Sequence, residues 1–383
     1  MVFFDVNSFL SPRGGGARTY HIKKSDWFAT RPEHEYVILG PGAGRGTIRL
    51  CQDCYPIRTA YGIPYGRSKN YRVLVDLGAA DDIVQEMSPS VVEIGDPWLS
   101  ARWGGRLPRR ILRTAFWHSD PHTAYLEPLV RKGRPWLKPF ADRILSKVDS
   151  WHRGYDLIWC ASEWVAALLR GRGYPNVEII RFGIDRELFH SRPRTPEILQ
   201  RFGLDPERPT LLYTGRLDFE KDVHVLMDAL PGILALEAKP QVLVTGRGEW
   251  EGRFGAFQAP GYAYGGFLDN REDLSNLVAS CDLLLATCPV ETFGLSVLEG
   301  LCSGRGVVSA HDGGGGEQVR QSGAGELFQA GSATDFVKAV ERALPRADEY
   351  AAKARAWGAA WPTWNDMFAR QNARCLELLD ARR

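Results

Sequence analysis

Short apolar runs recur along this chain, and stretches of helical length separate them. In the first half they occupy residues 2–6, 36–39, 91–94, 115–117, 157–160 and 177–180; in the second half, 211–213, 242–244, 263–267, 283–286 and 307–309. Runs this short and this uniformly apolar suit strands buried on both faces. The segments between them carry helical periodicity. Leu137, Phe140, Ile144, Val148 and Trp151 form one apolar stripe, and Val223, Leu226, Leu230 and Ile233 form another. Strand alternating with helix predicts an α/β fold, with parallel sheets covered by helices on both faces. The strands are too many for one comfortable open sheet, so two doubly wound, Rossmann-like domains are expected.

The break falls at Ser191-Arg-Pro-Arg-Thr-Pro196, where two prolines stand in a stretch without apolar periodicity. Residues 1–190 then form one domain and residues 191–364 the other. The segment 361–383 reads as a helix carrying Met367, Leu376 and Leu379, and its part from about 365 to 383 is a candidate to pack back on the first domain.

With 44% hydrophobic and 25% charged residues and a net charge of +2, the chain is neither disordered nor a general nucleic-acid binder. Seven scattered cysteines suggest reduced thiols, and Cys51-Gln-Asp-Cys54, lacking a second pair, reads as structural rather than as a zinc site. The apolar N-terminus has no basic region and is broken by Asp5, so it reads as a strand rather than a signal peptide. No run approaches the ~18 apolar residues of a membrane span. The expected location is cytoplasmic. Residues 101–154 hold twelve basic and four acidic side chains, with Trp103 and Trp136 among them. That excess suits peripheral attachment to an anionic membrane, on its inner face. A solvated helix face with snorkelling basic side chains is the alternative.

In doubly wound sheets, ligands sit beyond the carboxyl ends of strands, and the unusual local sequences fall there. Ser11-Pro-Arg-Gly14-Gly15-Gly16 follows the first strand, Gly95-Asp96-Pro97 the run 91–94, and His118-Ser119-Asp120 the run 115–117. In the second half, Gly215-Arg216, Gly246-Arg247-Gly248 and Glu291 follow theirs. Two half-sites facing each other across a cleft account for the pattern. Arg216 and Lys221 flank a turn into a helix, an arrangement that can grip phosphate oxygens or can equally be a solvated charged turn. After the run 283–286 come Pro289, Glu291, Phe293-Gly294 and a helix with Leu295, Leu298 and Cys302 on one stripe. Glu299 lies on that stripe and needs a partner, since an unpaired buried carboxylate is costly. His118 is a candidate to position or polarise a substrate, although a lone histidine is more often structural. Asp120 and His122 lack a third metal ligand of suitable spacing, and no Asp-x-Asp nominates a metal-held diphosphate.

These motifs, in this order, resemble the retaining glycosyltransferases of the GT-B fold, family four. The resemblance rests on Gly14-Gly15-Gly16, Asp96-Pro97, His118-Ser119-Asp120, Arg181-Phe182-Gly183-Ile184-Asp185 with Phe189, Gly215-Arg216-Leu217 with Glu220-Lys221, Gly246-Arg247-Gly248, and Glu291 to Glu299, the family's Glu-x7-Glu signature. It implies a nucleotide-sugar donor as substrate, with no cofactor and no metal. Arg216 and Lys221 would hold the diphosphate, with Gly15 and Gly16 near the phosphate. Glu299 would hold the ribose; Glu291, Phe293, Gly294 and Leu295 the donor sugar; Gly248 and Leu268, in the Gly266-Phe267-Leu268 turn, the base. His118 would face the sugar and acceptor. Glu249 stands where the family's Gly-x-Gly-Pro carries proline, and extra glycine surrounds Gly313.

The implied activity is transfer of a mannose- or glucose-type hexosyl group from a GDP- or UDP-linked donor to a lipid-linked or glycan acceptor. A nucleotide-sugar epimerase of the same fold is the alternative, and would form product from donor alone. A non-catalytic basic module for membranes or nucleic acid is disfavoured by the paired acids and the small total charge.

Overall fold

The computed structural model describes residues 1–11, 15–50, 54–65, 71–126 and 135–382. Gly14, Cys51 and the basic residues Arg131, Lys132 and Arg134 lie outside the described residues. The chain forms two units: Met1–Phe182 with Trp364–Arg383, and Gly183–Thr363.

The first unit is built on β1 (Val2–Val6), β2 (Glu35–Gly42), β3 (Gly46–Ile48), β4 (Ile57–Tyr65), β5 (Tyr71–Leu74), β6 (Val91–Ile94), β7 (Leu112–Phe116), β8 (Leu157–Cys160) and β9 (Val177–Ile179). Their order is β3-β4-β2-β1-β6-β7-β8-β9, with β5 paired to β4. All pairs are parallel except β3–β4 and β4–β5. Strand order reverses direction at β1, whose neighbours are β2 and β6. Four helices matter below: α1 (Gly16–Ala29), α2 (Lys138–His152), and, further on, α3 (Leu295–Cys302) and α4 (Gly313–Ser322).

A carboxylate inside β1 explains part of this packing. Asp5 is buried, and Lys24 of α1 donates to both its oxygens at 3.0 and 2.8 Å. The same ammonium donates to Glu93 of β6 at 2.8 Å. Tyr36 donates to Asp5 and Tyr20 to Glu93, each at 2.7 Å. A fifth helix, α5 (Trp364–Asp380), completes the network: Gln371 donates to Glu93 at 2.7 Å. Its Met367, Phe368 and Cys375 are buried in the first unit, while Leu376 and Leu379 are half-buried. Burial works against charge on Asp5, yet Lys24 and His21 hold its carboxyl below the ordinary range.

The apolar stripe expected on α2 is turned differently. Leu145, Val148, Asp149 and His152 are its buried residues, so the core covers only its C-terminal half. Phe140 is 67% exposed and Ile144 40%. Periodicity locates the helix, but the neighbouring elements decide how much of a stripe is covered.

The second unit holds six parallel strands: β10 (Thr210–Thr214), β11 (Gln241–Thr245), β12 (Tyr262–Gly266), β13 (Leu283–Ala286), β14 (Gly306–Ala310) and β15 (Gly325–Phe328). Their order, β12-β11-β10-β13-β14-β15, is that of a doubly wound sheet with its switch point between β10 and β13. Val223, Leu226, Leu230 and Ile233 are fully buried against it. This unit begins eight residues before the proline-rich stretch at Ser191. Ile184 pairs with Thr363, and Arg186 donates to the Ala359 carbonyl at 2.9 Å, which binds residues 183–190 to the second unit. The prolines themselves lie in a segment anchored by Thr195, whose amide donates to Ser280 at 2.9 Å.

Candidate active site

At the switch point, the chain after β10 and the chain after β13 converge. A cavity of about 400 Å³, open solvent included, lies there, and Arg216, Lys221, Thr287, Cys288, Glu291 and Ser296 are among its lining residues. Arg216 follows β10 directly. Lys221 ends a single 3-10 turn, Phe219–Lys221. Two bonds fasten this turn to the exit of β13: Thr287 Oγ1 donates to the Lys221 carbonyl at 2.7 Å, and Cys288 Sγ to the Glu220 carbonyl at 3.4 Å. Lys221 Nζ reaches Glu291 Oε1 at 2.5 Å. Burial opposes charge on this ammonium, and the Glu291 carboxylate outweighs it, so Lys221 is held above the usual lysine range. Burial pushes the Cys288 thiol up to about 12. Arg216 donates to Asp218 at 2.7 Å and also to Glu220. Asp218 in turn accepts from the Glu249 amide at 3.0 Å, joining this turn to the one that carries Gly248.

The third component is the N-terminus of α3. Gly294 caps it with φ +90, a left-handed conformation that side chains seldom adopt. The helix leaves backbone N–H groups and the positive end of its dipole beside Ser296, on the cavity wall. The turn ahead of it is held by α4. The Gln318 amide donates to the carbonyls of Phe293 and Gly294 at 2.5 and 3.2 Å, and the Gly314 amide to the Glu291 carbonyl at 2.7 Å. A Cβ on Gly314 would fall 2.6 Å from Phe293 Cα, so the glycine tract lets α4 press against the acid-bearing turn.

Arg216, Lys221 and Glu291 are thus gathered at one cavity. Glu299 is placed apart from it. Its carboxylate is buried and accepts from Arg271 at 2.8 Å; the Arg271 guanidinium also lies 4.9 Å from the centre of the Phe189 ring. Burial raises the Glu299 carboxyl above the ordinary range, and Arg271 only partly offsets it. Phe293 is buried, 6.1 Å from the Trp361 ring, while Leu268 is half-buried beyond β12. In the first unit, Gly15 caps α1 and Gly16 opens it. His118 follows β7 and stacks on Phe116 at 4.5 Å, with Tyr20 edge-on at 4.9 Å. Burial, with His21 and Lys24 adding to it, puts the His118 imidazole well below the usual histidine range, so it is neutral. Asp120 accepts from Arg172 Nη2 at 3.0 Å and from Trp117 at 3.3 Å, which gives it a structural part.

Sequence pattern did not reveal Gln318, Thr287 or Arg271. The glycine run before Glu317 was the one signal near Gln318; the other two are recognisable only once the strand order is known.

Three comparisons bear on this arrangement. Residues 194–359 match the family described as glycosyl transferases group 1. Over 311 residues the chain is 26% identical to a GDP-mannose-dependent alpha-(1-6)-phosphatidylinositol dimannoside mannosyltransferase of Mycobacterium tuberculosis, covering 78% of this chain and 76% of that one. Sucrose-phosphate synthase from Thermosynechococcus elongatus superposes with a TM-score of 0.79 at 16% identity, over 100% of each chain. Anabaena HepE, solved in complex with UDP and glucose, does so with 0.73 at 18% identity, over 98% of this chain and 99% of that one. Residues 194–359 thus resemble the group 1 glycosyl transferases, and the chain as a whole shares with these structures a GT-B fold of two Rossmann-like units.

Proposed function

We propose that the protein is a retaining hexosyltransferase that moves a hexosyl group from a nucleoside-diphosphate sugar to a lipid-linked or glycan acceptor, without a metal. The observation that carries this reading is the cavity at the β10–β13 switch point, where Arg216, Lys221 and the α3 N-terminus lie around Glu291. When the bond from the sugar's anomeric carbon to the diphosphate breaks, its electron pair stays with the diphosphate oxygen and one further negative charge develops on the leaving group. Preorganised cations and backbone dipoles stabilise such charge where it forms. Glu291 orients the sugar beside them. The acceptor oxygen attacks from the face the diphosphate leaves, and its proton passes to a departing phosphate oxygen. Glu299 and Arg271 receive the ribose, Gly248 and Leu268 the base, and neutral His118 faces sugar and acceptor.

GDP-mannose is the first donor to test, because the mannosyltransferase similar over 78% of this chain is named as GDP-mannose-dependent. UDP-sugars come next, given the UDP complex of the HepE structure. The experiment is a thermal-shift series with GDP, UDP and ADP, followed by their sugars. A ligand at a hundred times its Kd stabilises the native state by about 2.7 kcal/mol. Stabilisation by at least one nucleotide, with sugar transfer to added acceptor, is expected. A chain that no nucleotide stabilises is not this enzyme, and product from donor alone would indicate an epimerase.

A further inference from the structure

We infer that the outward ridge of α2 docks the protein onto an anionic bilayer surface. The ridge consists of Trp136, in the 3-10 turn Pro135–Leu137, followed by Phe140 and Ile144 of α2. They stand four residues apart, so one face of the helix carries all three. They are 73%, 67% and 40% exposed. The buried residues Leu145, Val148, Asp149 and His152 occupy the opposite side. A soluble surface seldom lines up large apolar side chains in this way without an occupant.

Charge identifies the occupant. Arg143 and Lys147 flank the ridge, three and seven residues beyond Phe140, and both are exposed. Among the described residues neither has a carboxylate partner. The acids of the helix are engaged elsewhere: Asp142 pairs with Lys138 at 2.9 Å, and Asp149 accepts from Tyr174 at 2.6 Å. An apolar ridge with an indole at one end and unneutralised cations along it matches the interfacial region of a bilayer rich in anionic headgroups. No helix among the described residues is long and apolar enough to cross a membrane, so α2 lies on the surface rather than through it. The broad basic excess of residues 101–154 is here narrowed to one face. The inference does not depend on sugar transfer, because vesicle binding is measured without donor or acceptor.

The test is co-sedimentation of the full chain with vesicles of phosphatidylcholine alone, and with vesicles of equal parts phosphatidylglycerol and phosphatidylcholine, at low and high salt. Binding to the anionic vesicles at low salt is expected. Trp136→Ser with Phe140→Ser should weaken it by roughly tenfold or more, since each residue loses its buried apolar area. Arg143→Gln with Lys147→Gln should weaken it by roughly fivefold per charge removed. These side chains are exposed, so circular dichroism should show both variants folded. Equal binding by wild type and the Ser variant overturns the inference, as does absence of binding to anionic vesicles. A dimer in sedimentation velocity that the Ser substitutions dissolve, without vesicle binding by the wild type, also overturns it and gives the face to a second copy of the chain.

Discussion

Lys221 and Glu291 stand seventy positions apart in the chain, yet their side chains meet at 2.5 Å on the wall of one cavity. The cation proposed for the leaving group and the acid proposed for the sugar are thus one ion pair before any substrate arrives. Glu291 keeps Lys221 charged despite its burial, and Lys221 fixes the direction of Glu291.

Removing either partner should have a different signature. Lys221→Ala is expected to weaken binding of the nucleoside diphosphate itself and to lower kcat/KM by about 2–4 kcal/mol. Glu291→Gln should bind the free diphosphate nearly as the wild type does and lose turnover instead. Calorimetric titration with GDP and UDP, beside steady-state kinetics, separates the two. Full activity of Glu291→Gln removes it from the chemistry.

Gln318 holds two carbonyls of the turn between Glu291 and α3. Gln318→Leu leaves buried acceptors without a donor, a cost of about 1–3 kcal/mol. We expect a lower Tm and a raised KM for the donor, with the acceptor KM unchanged. Loss of stability with both KM values intact would reduce Gln318 to a purely structural residue.

The ion cluster of the first unit should be more sensitive still. Lys24→Met strands Asp5 and Glu93 in the core, and breaking a buried pair from one side costs about 3–5 kcal/mol. The loss should shrink as pH falls, because the stranded carboxylates can then take up protons. Urea denaturation at several pH values reads this directly; a pH-independent deficit contradicts it.

Glu299 offers a test of opposite sign from an ordinary salt-bridged carboxylate. Its folded-state pKa is raised, so its contribution is full below the ordinary glutamate range and is lost as pH rises through the raised value. Glu299→Gln should flatten the fall in stability toward neutral pH, and it should weaken nucleotide binding through the ribose. Urea midpoints with the same slope in both proteins count against the first expectation, and unchanged GDP and UDP titrations against the second.

Much of the fold was legible because strands such as 242–244 and 283–286 are buried on both faces and appear as bare apolar runs. β4 escaped that reading: Tyr61 and Ile63 alternate outward, and Gly62 and Pro64 interrupt it. β15 escaped too, since Gly-Glu-Leu-Phe is short and carries a charge. The acids and cations of the site were visible as motifs at strand ends. Which of them share a cavity, and that Glu299 turns to Arg271, depended on strand order and helix packing far apart in sequence. The glycine tract of α4 was visible, but its purpose required the position of Phe293.

The division of the first unit across two stretches of chain has a consequence during synthesis. Residues 183–363 leave the ribosome as a complete unit, whereas the sheet begun by β1 still lacks α5 and the amide of Gln371 that caps Glu93. The unit whose synthesis starts first is therefore the one whose last segment is made last. Until α5 arrives, the flank of α1 and β6 that it covers stays open to water, and a nascent chain arrested near residue 363 should be the species that chaperones and proteases recognise.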